Sequence, residues 1–227
     1  RDLHSFPTRR SSDLEITGNV KNMASMFNGC SKLSEIDLSQ FSTGQVEDMS
    51  AMFKFCSGVK KLEMTGFNTG KVTNMKSMFE GCLQLSDLNL AQFNTGNVKD
   101  MSNMFLSCGY LKTIDVSNFN TQNVKDMSNM FSGCSLVSSL DVSKFDTSQV
   151  TNMNHMFAGC FYLTELVVTK FKTQNVKNMA YMFADCRNLK SIDVGDFVTN
   201  NVEDMSAMFQ FLRNVQIIDV SKFDTRS

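Results

Sequence analysis

Sulfur-containing side chains are the residues of this chain most suited to chemistry, since its 227 residues include 7 cysteines and 17 methionines. Thiolates and thioethers bind soft metals, and neighbouring thiols can form disulfides. The cysteines recur at one constant, long interval, however, and this spacing is unlike that of C-x-x-C metal ligands. This interval, with Leu212 at the eighth equivalent position, predicts small buried hydrophobic residues and no metal site. These cysteines are Cys30, Cys56, Cys82, Cys108, Cys134, Cys160 and Cys186.

The methionines follow the same interval. All except Met64 occur in M-x-x-M pairs, as in Met101 and Met104, and Phe105 follows this pair directly. A row of thioethers could form a soft-metal or promiscuous binding surface. Their regular placement beside Val and Phe favours a structural core instead, because Met fills irregular spaces between aromatic rings.

Carboxylates form a second recurring set, with one near the end of most 26-residue units. Two interpretations are open. The Asp side chains could hydrogen-bond their own turns, or the row could form an acidic concave surface for a basic partner or Ca²⁺. Partner specificity is expected where the row is irregular, at Lys61, Glu63, Glu165 and Val167. The candidate partner-binding residues are Glu35, Asp37, Lys61, Glu63, Asp87, Asp115, Asp141, Glu165, Asp193 and Asp219.

Catalysis has little support in these residues. His155 is the only histidine in the repeated region, and it occupies a position that varies from unit to unit. The chain contains no Gly-rich phosphate loop and no recognisable nucleophile–base pair. We therefore predict that the protein is not an enzyme and that it uses no cofactor.

All of these residues belong to one internal 26-residue repeat with the pattern F-x-T-x-x-V-x-x-M-x-x-M-F-x-x-C-x-x-L-x-x-L. Eight units without insertions or deletions occupy residues 15–222, and residues 223–227 begin a truncated ninth unit. Terminal repeats normally need a polar cap, so Phe223 and the face after Leu212 are expected to be exposed.

Each unit has two segments with different hydrophobic patterns. The first predicts a short helix, with Thr95 or Asn97 as its N-cap. The second alternates at Ile114 and Val116 and predicts a short strand. The expected fold is an α/β solenoid of the leucine-rich-repeat type, in which eight strand–turn–short-helix coils form one parallel sheet. The helical apolar positions are Val98, Met101, Met104, Phe105 and Cys108.

The repeat resembles the BspA-type leucine-rich repeat of microbial surface proteins. The resemblance rests on each V-x-x-M-x-x-M-F-x-x-C segment and on strands such as Ile36-Asp37-Leu38-Ser39 and Leu140-Asp141-Val142-Ser143. It implies a cell-surface or secreted interaction protein with a role in adhesion. The family has no shared catalytic residues.

Charge and hydropathy exclude other classes of protein. The 22 basic and 23 acidic side chains leave a net charge of −1, which argues against nucleic-acid binding and polybasic membrane anchoring. No apolar run approaches the ~20 residues of a membrane-spanning helix, so no direct membrane insertion is expected. The partner is expected to be a protein or another extracellular macromolecule. The alternative is a structural spacer, or stalk, that displays another module of a larger surface protein.

Residues 1–14 share nothing with the repeat and hold the only proline, Pro7. They lack the apolar stretch of a signal peptide. This leader resembles a translated sequencing-adapter remnant, and a disordered native linker is the alternative. In either case the chain is expected to be a fragment without a complete N-terminal cap.

Overall fold

The computed structural model describes residues 17–225. The predicted leader, residues 1–14, and the last two residues of the predicted truncated unit lie outside this range. The described residues form successive coils, each one repeat long, that stack so that equivalent residues of neighbouring coils lie side by side. We call each such set of equivalent residues a column.

One side of the stack carries the predicted strands. β1 (Glu35–Asp37) pairs in parallel with β2 (Lys61–Glu63), and Ile36 lies opposite Leu62. A further parallel bridge joins Ser139 to Glu165. Burial alternates along these segments because successive side chains of an extended chain point to opposite faces. Among residues 17–225 the predicted single parallel sheet of eight strands is therefore reduced to one two-stranded sheet and one further bridge on this side.

A longer ladder lies in a different part of the coil, immediately before the first methionine of each unit. Parallel bridges connect the residues of this column from one coil to the next along the whole stack. The bridged residues are Asn22, Asp48, Asn74, Asp100, Asp126, Asn152, Asn178 and Asp204.

The predicted short helix does not form in residues 17–225. Its place is taken by consecutive β-turns: the N–H of Met104 donates to the carbonyl of Met101 (3.2 Å), and the N–H of Cys108 donates to that of Phe105 (3.0 Å). The third residue of each of these turns, Asn103 and Ser107, has a positive φ, as in type II turns. Apolar residues three apart therefore share a face without a helix.

The spacing between coils explains why turns replace the helix. Phe105 lies 5.7 Å from Phe79 and 5.6 Å from Phe131 between ring centroids, whereas an α-helix with its side chains is about 10 Å wide. Helices in adjacent coils would collide at this spacing. In the turn segment, alternate N–H groups instead donate to the next coil, as Phe105 does to the Met130 carbonyl (2.9 Å).

The core is formed by the columns that the repeat pattern singles out. Met101, Met104 and Phe105 are completely buried. The Phe column forms a continuous stack with centroid separations of 5.6–5.9 Å and nearly parallel rings. Each coil thus covers the apolar face of the preceding one, which is how a solenoid builds a core from units too small to fold alone.

The threonine of each unit connects neighbouring coils instead of capping a helix. The buried Thr95 hydroxyl donates to the Asn120 carbonyl (2.9 Å) and accepts from the Asn120 N–H (2.8 Å). Asn97, the other predicted cap, donates from its side-chain amide to the Gly70 carbonyl of the preceding coil (2.7 Å). Both residues satisfy backbone groups that belong to another repeat.

The last coils are less well covered than the middle ones. Phe209, Leu212 and Phe223 pack against the core and are partly buried. Phe223 is less exposed than the sequence predicts, and its N–H donates to the Val220 carbonyl (3.0 Å). The face after Leu212 is open as predicted, since Val220 is 44% exposed whereas the equivalent Val194 is 1% exposed.

Candidate functional site

The exposed side of the strands holds the residues that the sequence proposes for partner binding. Asp115 is exposed between Ile114 and Val116, which are 5% and 2% exposed and face the core. The same alternation places Asp141, Asp193 and Asp219 on the outside. The stacking of coils therefore brings these four carboxylates into one exposed row, and the predicted residues Glu35, Lys61, Asp87 and Glu165 lie two positions earlier, in a second exposed row.

These carboxylates are engaged within their own turns. The Asp115 side chain accepts a hydrogen bond from the Ser117 N–H (3.0 Å), and that of Asp141 accepts one from the Ser143 N–H (2.9 Å). Asp37, Asp193 and Asp219 accept the equivalent bond. Both interpretations of the row therefore start from carboxylates that already stabilise a turn.

Lysines offset part of the negative charge. The ammonium of Lys61 lies 3.9 Å from a Glu63 carboxylate oxygen. Lys144 and Lys170 are close enough to lower the pKa of Asp141, although the Ser143 hydrogen bonds lower it more. Among residues 17–225 no group of three or more His, Cys, Asp or Glu residues has a geometry suited to a metal ion. The row is thus a mixed-charge surface.

The turn-bound carboxylates predict an acid-sensitive contribution to stability. Hydrogen bonds from the Ser143 side chain and N–H hold the pKa of Asp141 below its ordinary value. A depressed folded-state pKa contributes stability that is present above about pH 4 and lost as the pH falls through the folded pKa. We expect Asp141→Asn, which keeps the acceptor but cannot titrate, to reduce the loss of stability on acidification.

Urea midpoints at about pH 7 and about pH 3 would measure this effect for the wild type and Asp141→Asn. Asp87→Asn is the matched control, because no hydrogen bond to the Asp87 side chain is found in the described part of the chain. Equal pH dependence in the wild type and Asp141→Asn would contradict the prediction.

A further column of turn-forming side chains was missed by the sequence analysis. In the long ladder, Asp100 accepts from the Ser102 N–H (2.8 Å) and Asp126 from the Ser128 N–H (2.8 Å). These residues lie within the segment for which the sequence predicts a short helix. The recurrence of Asp or Asn at one position of every unit was the available signal, because both residues form such turns.

The cysteines lie inside the stack, away from the carboxylate row. Six are buried, Cys30 in the first coil is partly exposed, and all seven are free thiols. The Cys108 thiol donates to the Phe79 carbonyl of the preceding coil (3.1 Å), and the other buried cysteines make the equivalent bond. Burial raises the pKa of Cys56 to about 11 and of Cys108 to about 12. These thiols therefore stay protonated near neutral pH.

Thiol reactivity tests this arrangement. We expect Ellman's reagent at about pH 8 to modify Cys30 rapidly and the six buried thiols only after unfolding, because the thiolate is the reactive form. Cys30→Ser should remove the fast phase and leave the slow phase unchanged. Rapid modification of several thiols in the folded protein would contradict the prediction.

His155 lies in the column of positive φ between the two methionines. Its ring stacks on Tyr181 with centroids 4.6 Å apart. Partial burial lowers its pKa, and the nearby Asp204 carboxylate opposes that shift. The stacked pair explains how a histidine is accommodated at this position.

Two shallow grooves lie on another side of the coils, beside residues that the sequence analysis did not select. One, of about 540 Å³, is lined by Lys125, Thr151 and Lys177 together with amide side chains. The other groove, of about 440 Å³, is lined by Lys71, Lys99 and other polar or charged residues. Both are polar and open, and neither includes a residue of the carboxylate row.

Exposed apolar side chains lie beside the strands in the turn that follows the cysteine column. Tyr110 is 61% exposed, Tyr162 56% and Leu83 48%. Leu136 and Phe161, in the same turn of their coils, are partly exposed. We call these five residues the aromatic edge. Single apolar residues at variable positions carry no periodic signal, so the aromatic edge could not be predicted from the sequence.

Parallel coils of one repeat each, with a strand segment on one side and a shared apolar interior, define a solenoid of the leucine-rich-repeat class. Comparison with protein families then gives the family. A model described as "Mycoplasma protein of unknown function, DUF285" matches residues 13–64, 56–140 and 133–227, and the chain belongs to that family. The predicted resemblance to BspA-type leucine-rich repeat proteins is confirmed.

Among solved structures, leucine-rich repeat proteins from Bacteroides ovatus and Eubacterium ventriosum are similar, at 17% and 19% identity and TM-scores of 0.47 and 0.46. Each alignment covers 86% of this chain, which spans 57% and 46% of the two proteins. A leucine-rich cell surface protein from Faecalibacterium prausnitzii aligns at 14% identity and a TM-score of 0.34, over 86% of this chain and 75% of that protein. No curated protein matches the sequence.

Nothing in these comparisons is a catalytic family. Within residues 17–225 no helix has the length and apolar character needed to cross a membrane.

Proposed function

We propose that this protein is a non-enzymatic interaction array, at the cell surface or secreted, that binds a macromolecular partner through its strand face and serves in adhesion. The observation that carries the proposal is the outer strand column, two residues before the carboxylate row. Its members are all exposed and differ chemically from coil to coil. They are Glu35, Lys61, Asp87, Thr113, Ser139, Glu165, Ser191 and Ile217.

The side chains of the outer strand column are not required to hold the coils together, although its backbone pairs between coils at Glu35–Lys61 and Ser139–Glu165. Apart from the Lys61 ion pair with Glu63, its side chains make no hydrogen bond or ion pair within residues 17–225. Ile217 is 82% exposed, although it is apolar. Core columns repeat because each member packs on its equivalent, whereas side chains that make no internal polar contacts are free to contact a partner.

The test changes the charge of the strand face without disturbing its turns. We expect the combined substitution of Asp115, Asp141 and Asp193 by Asn to weaken binding to a partner by about tenfold or more, because removal of interface charges is costly. Asn keeps the hydrogen bonds to the turns, so the protein should stay folded, with only a small fall in the thermal midpoint from the lost charge-dependent stability. Binding would be measured on a panel of purified extracellular proteins and polysaccharides.

A matched control changes three carboxylates of the long ladder, Asp100, Asp126 and Asp204, to Asn in the same way. Their Oδ1 atoms also accept a hydrogen bond from the N–H two residues on. This control should retain binding. Equal binding by both triple variants, or no binding to any member of the panel, would overturn the proposed role of the strand face.

The second candidate function is a structural spacer that displays another module. Continuous backbone bridges and the unbroken Phe stack favour it, because they couple every coil to the next. The two functions differ in one measurement. A spacer requires no partner on its sides, so strand-face substitutions would leave cell attachment unchanged, whereas deletion of whole coils would alter it.

A further inference from the structure

We propose that the aromatic edge and the adjoining carboxylates of coils 3–6 form one docking surface for a cationic, amphipathic segment of a partner protein. Coils 3–6 are those that contain residues 83–89, 109–115, 135–141 and 161–167. This inference rests on the proposed function, since it assigns the partner's chemistry and position on the strand face.

The aromatic edge is continuous across these four coils. Tyr110, Leu136 and Tyr162 occupy the same column in three consecutive coils, so about 10 Å separates the backbones of the two tyrosines at the usual strand spacing. Leu83 and Phe161 extend the edge from the adjacent column. In coils 1, 2, 7 and 8 both columns hold Ser, Gly, Lys, Arg or Asn. An apolar patch with a polar rim is typical of a protein-binding surface.

Negative charge is concentrated on the same four coils. Between the cysteine column and the carboxylate row they carry Asp87, Asp115, Asp141 and Glu165 against Lys112, a net charge of −3. The corresponding segments of the neighbouring coils, 57–63 and 187–193, each have a net charge of +1. A cationic partner that contacts this segment is therefore favoured on coils 3–6 over the coils on both sides, while Lys144, which acts on both Asp115 and Asp141, limits the attraction beside these two carboxylates.

Lys144 and Lys170 lie three residues beyond the carboxylate row, on the side away from the aromatic edge. The route from the aromatic edge to the carboxylates thus crosses only Lys112. A partner that lies across these coils meets apolar side chains first and carboxylates next, so it must present apolar and basic residues on one face.

The aromatic edge already accommodates one cation. The guanidinium of Arg187 lies over the Phe161 ring, 4.7 Å from its centroid. No cation lies over Tyr110 or Tyr162 within the described residues, although both rings are more exposed than Phe161. Arg or Lys side chains of a partner can make the same cation–π contact with these tyrosines. Tyrosine and arginine are also the residues that most often dominate the energy of protein interfaces.

The experiment uses a phage-displayed library of random peptides, selected on the full chain. We expect the selected peptides to combine Lys or Arg with apolar residues. Tyr110→Ser with Tyr162→Ser should weaken their binding by about tenfold or more, as expected for central aromatic residues of an interface. Asp87→Asn with Glu165→Gln should weaken it and reduce its dependence on salt.

The matched control is Asn188→Ser with Asn214→Ser, which changes exposed residues of the tyrosine column outside coils 3–6. It should bind the peptides as the wild type does. Neutral or acidic selected peptides, unchanged binding by the tyrosine variant, or failure to select any peptide would each overturn the inference.

These failures differ from a failure of the proposed function. Peptides that bind the strand face but are lost on substitution of Lys61 or Asp193, and not of the tyrosines, would overturn only the docking surface. The proposed function itself would be overturned if the variant with Asn at positions 115, 141 and 193 bound the panel of extracellular macromolecules as well as the wild type does.

Discussion

Replacement of Phe105 by Ala is expected to destabilise the protein by about 3–5 kcal/mol, the range for removing a buried aromatic side chain. Phe105 is completely buried and stacks on Phe79 and Phe131 at 5.7 and 5.6 Å, with interplanar angles of 7° and 9°. Its loss leaves a cavity and breaks two aromatic pairs in the middle of the stack. Urea unfolding followed by circular dichroism would measure the change.

Phe209→Ala is the matched control for this experiment. Phe209 is in the same column but is only partly buried, and its stacking partner among the described residues is Phe183, at 5.9 Å. We expect its substitution to cost less than half as much as that of Phe105. Because solenoid stability depends on interfaces between neighbours, Phe105→Ala should also broaden the transition. Equal costs at the two positions would show that stacking does not stabilise the column.

The second large effect is expected at Thr95. Thr95→Val keeps the shape of the side chain but removes the hydroxyl that donates to the Asn120 carbonyl and accepts from the Asn120 N–H. Backbone groups left without partners in a partly buried site cost about 1–3 kcal/mol. We therefore expect Thr95→Val to destabilise the protein by about 2–3 kcal/mol, measured by urea unfolding.

Thr95→Ser separates the hydroxyl from the methyl group. It keeps both hydrogen bonds and removes one buried methyl group, which is worth about 1 kcal/mol. The valine variant should therefore be the less stable of the two. A serine variant as unstable as the valine variant would indicate that packing, and not the bond between coils, accounts for the repeated threonine.

Phe105 and Thr95 differ in how far their roles could be predicted from the sequence. Phe105 was identified as a core residue from the repeat alone, because a large apolar residue that recurs in every unit has few other roles. Thr95 was one of two residues predicted to cap a helix, with Asn97 as the other. The actual partner of Thr95, Asn120, lies 25 residues further along the chain, and no local pattern relates the two residues.

Contacts between coils also explain why the predicted short helix is wrong. Val98, Met101, Met104 and Cys108 are spaced as on a helix, and a run of β-turns places residues three apart on one face equally well. The choice depends on the separation of coils, which is too small for a helix and allows backbone bonds to the next coil. That separation is a property of the stack and is absent from any single unit.

The candidate site also combines features that could be predicted from the sequence with features that only the structure shows. The row of Asp115, Asp141 and Asp193 could be located from the sequence, because its members recur at one position and stacking aligns them. The hydrogen bonds that tie them to their own turns were one of two interpretations. The aromatic edge appeared only when side-chain exposure was known, since Tyr110 and Tyr162 come together through coils that are two repeats apart in the sequence.

The constant spacing of Met, Phe and Cys determined by itself that the chain is a 26-residue repeat with a shared core. It could do so because core residues pack on their own equivalents, so one pattern is copied in every unit. The tertiary structure alone decided which backbone conformation connects the core positions and which variable side chains share a surface. Both depend on contacts between coils, and those contacts join residues that the sequence keeps about one repeat apart.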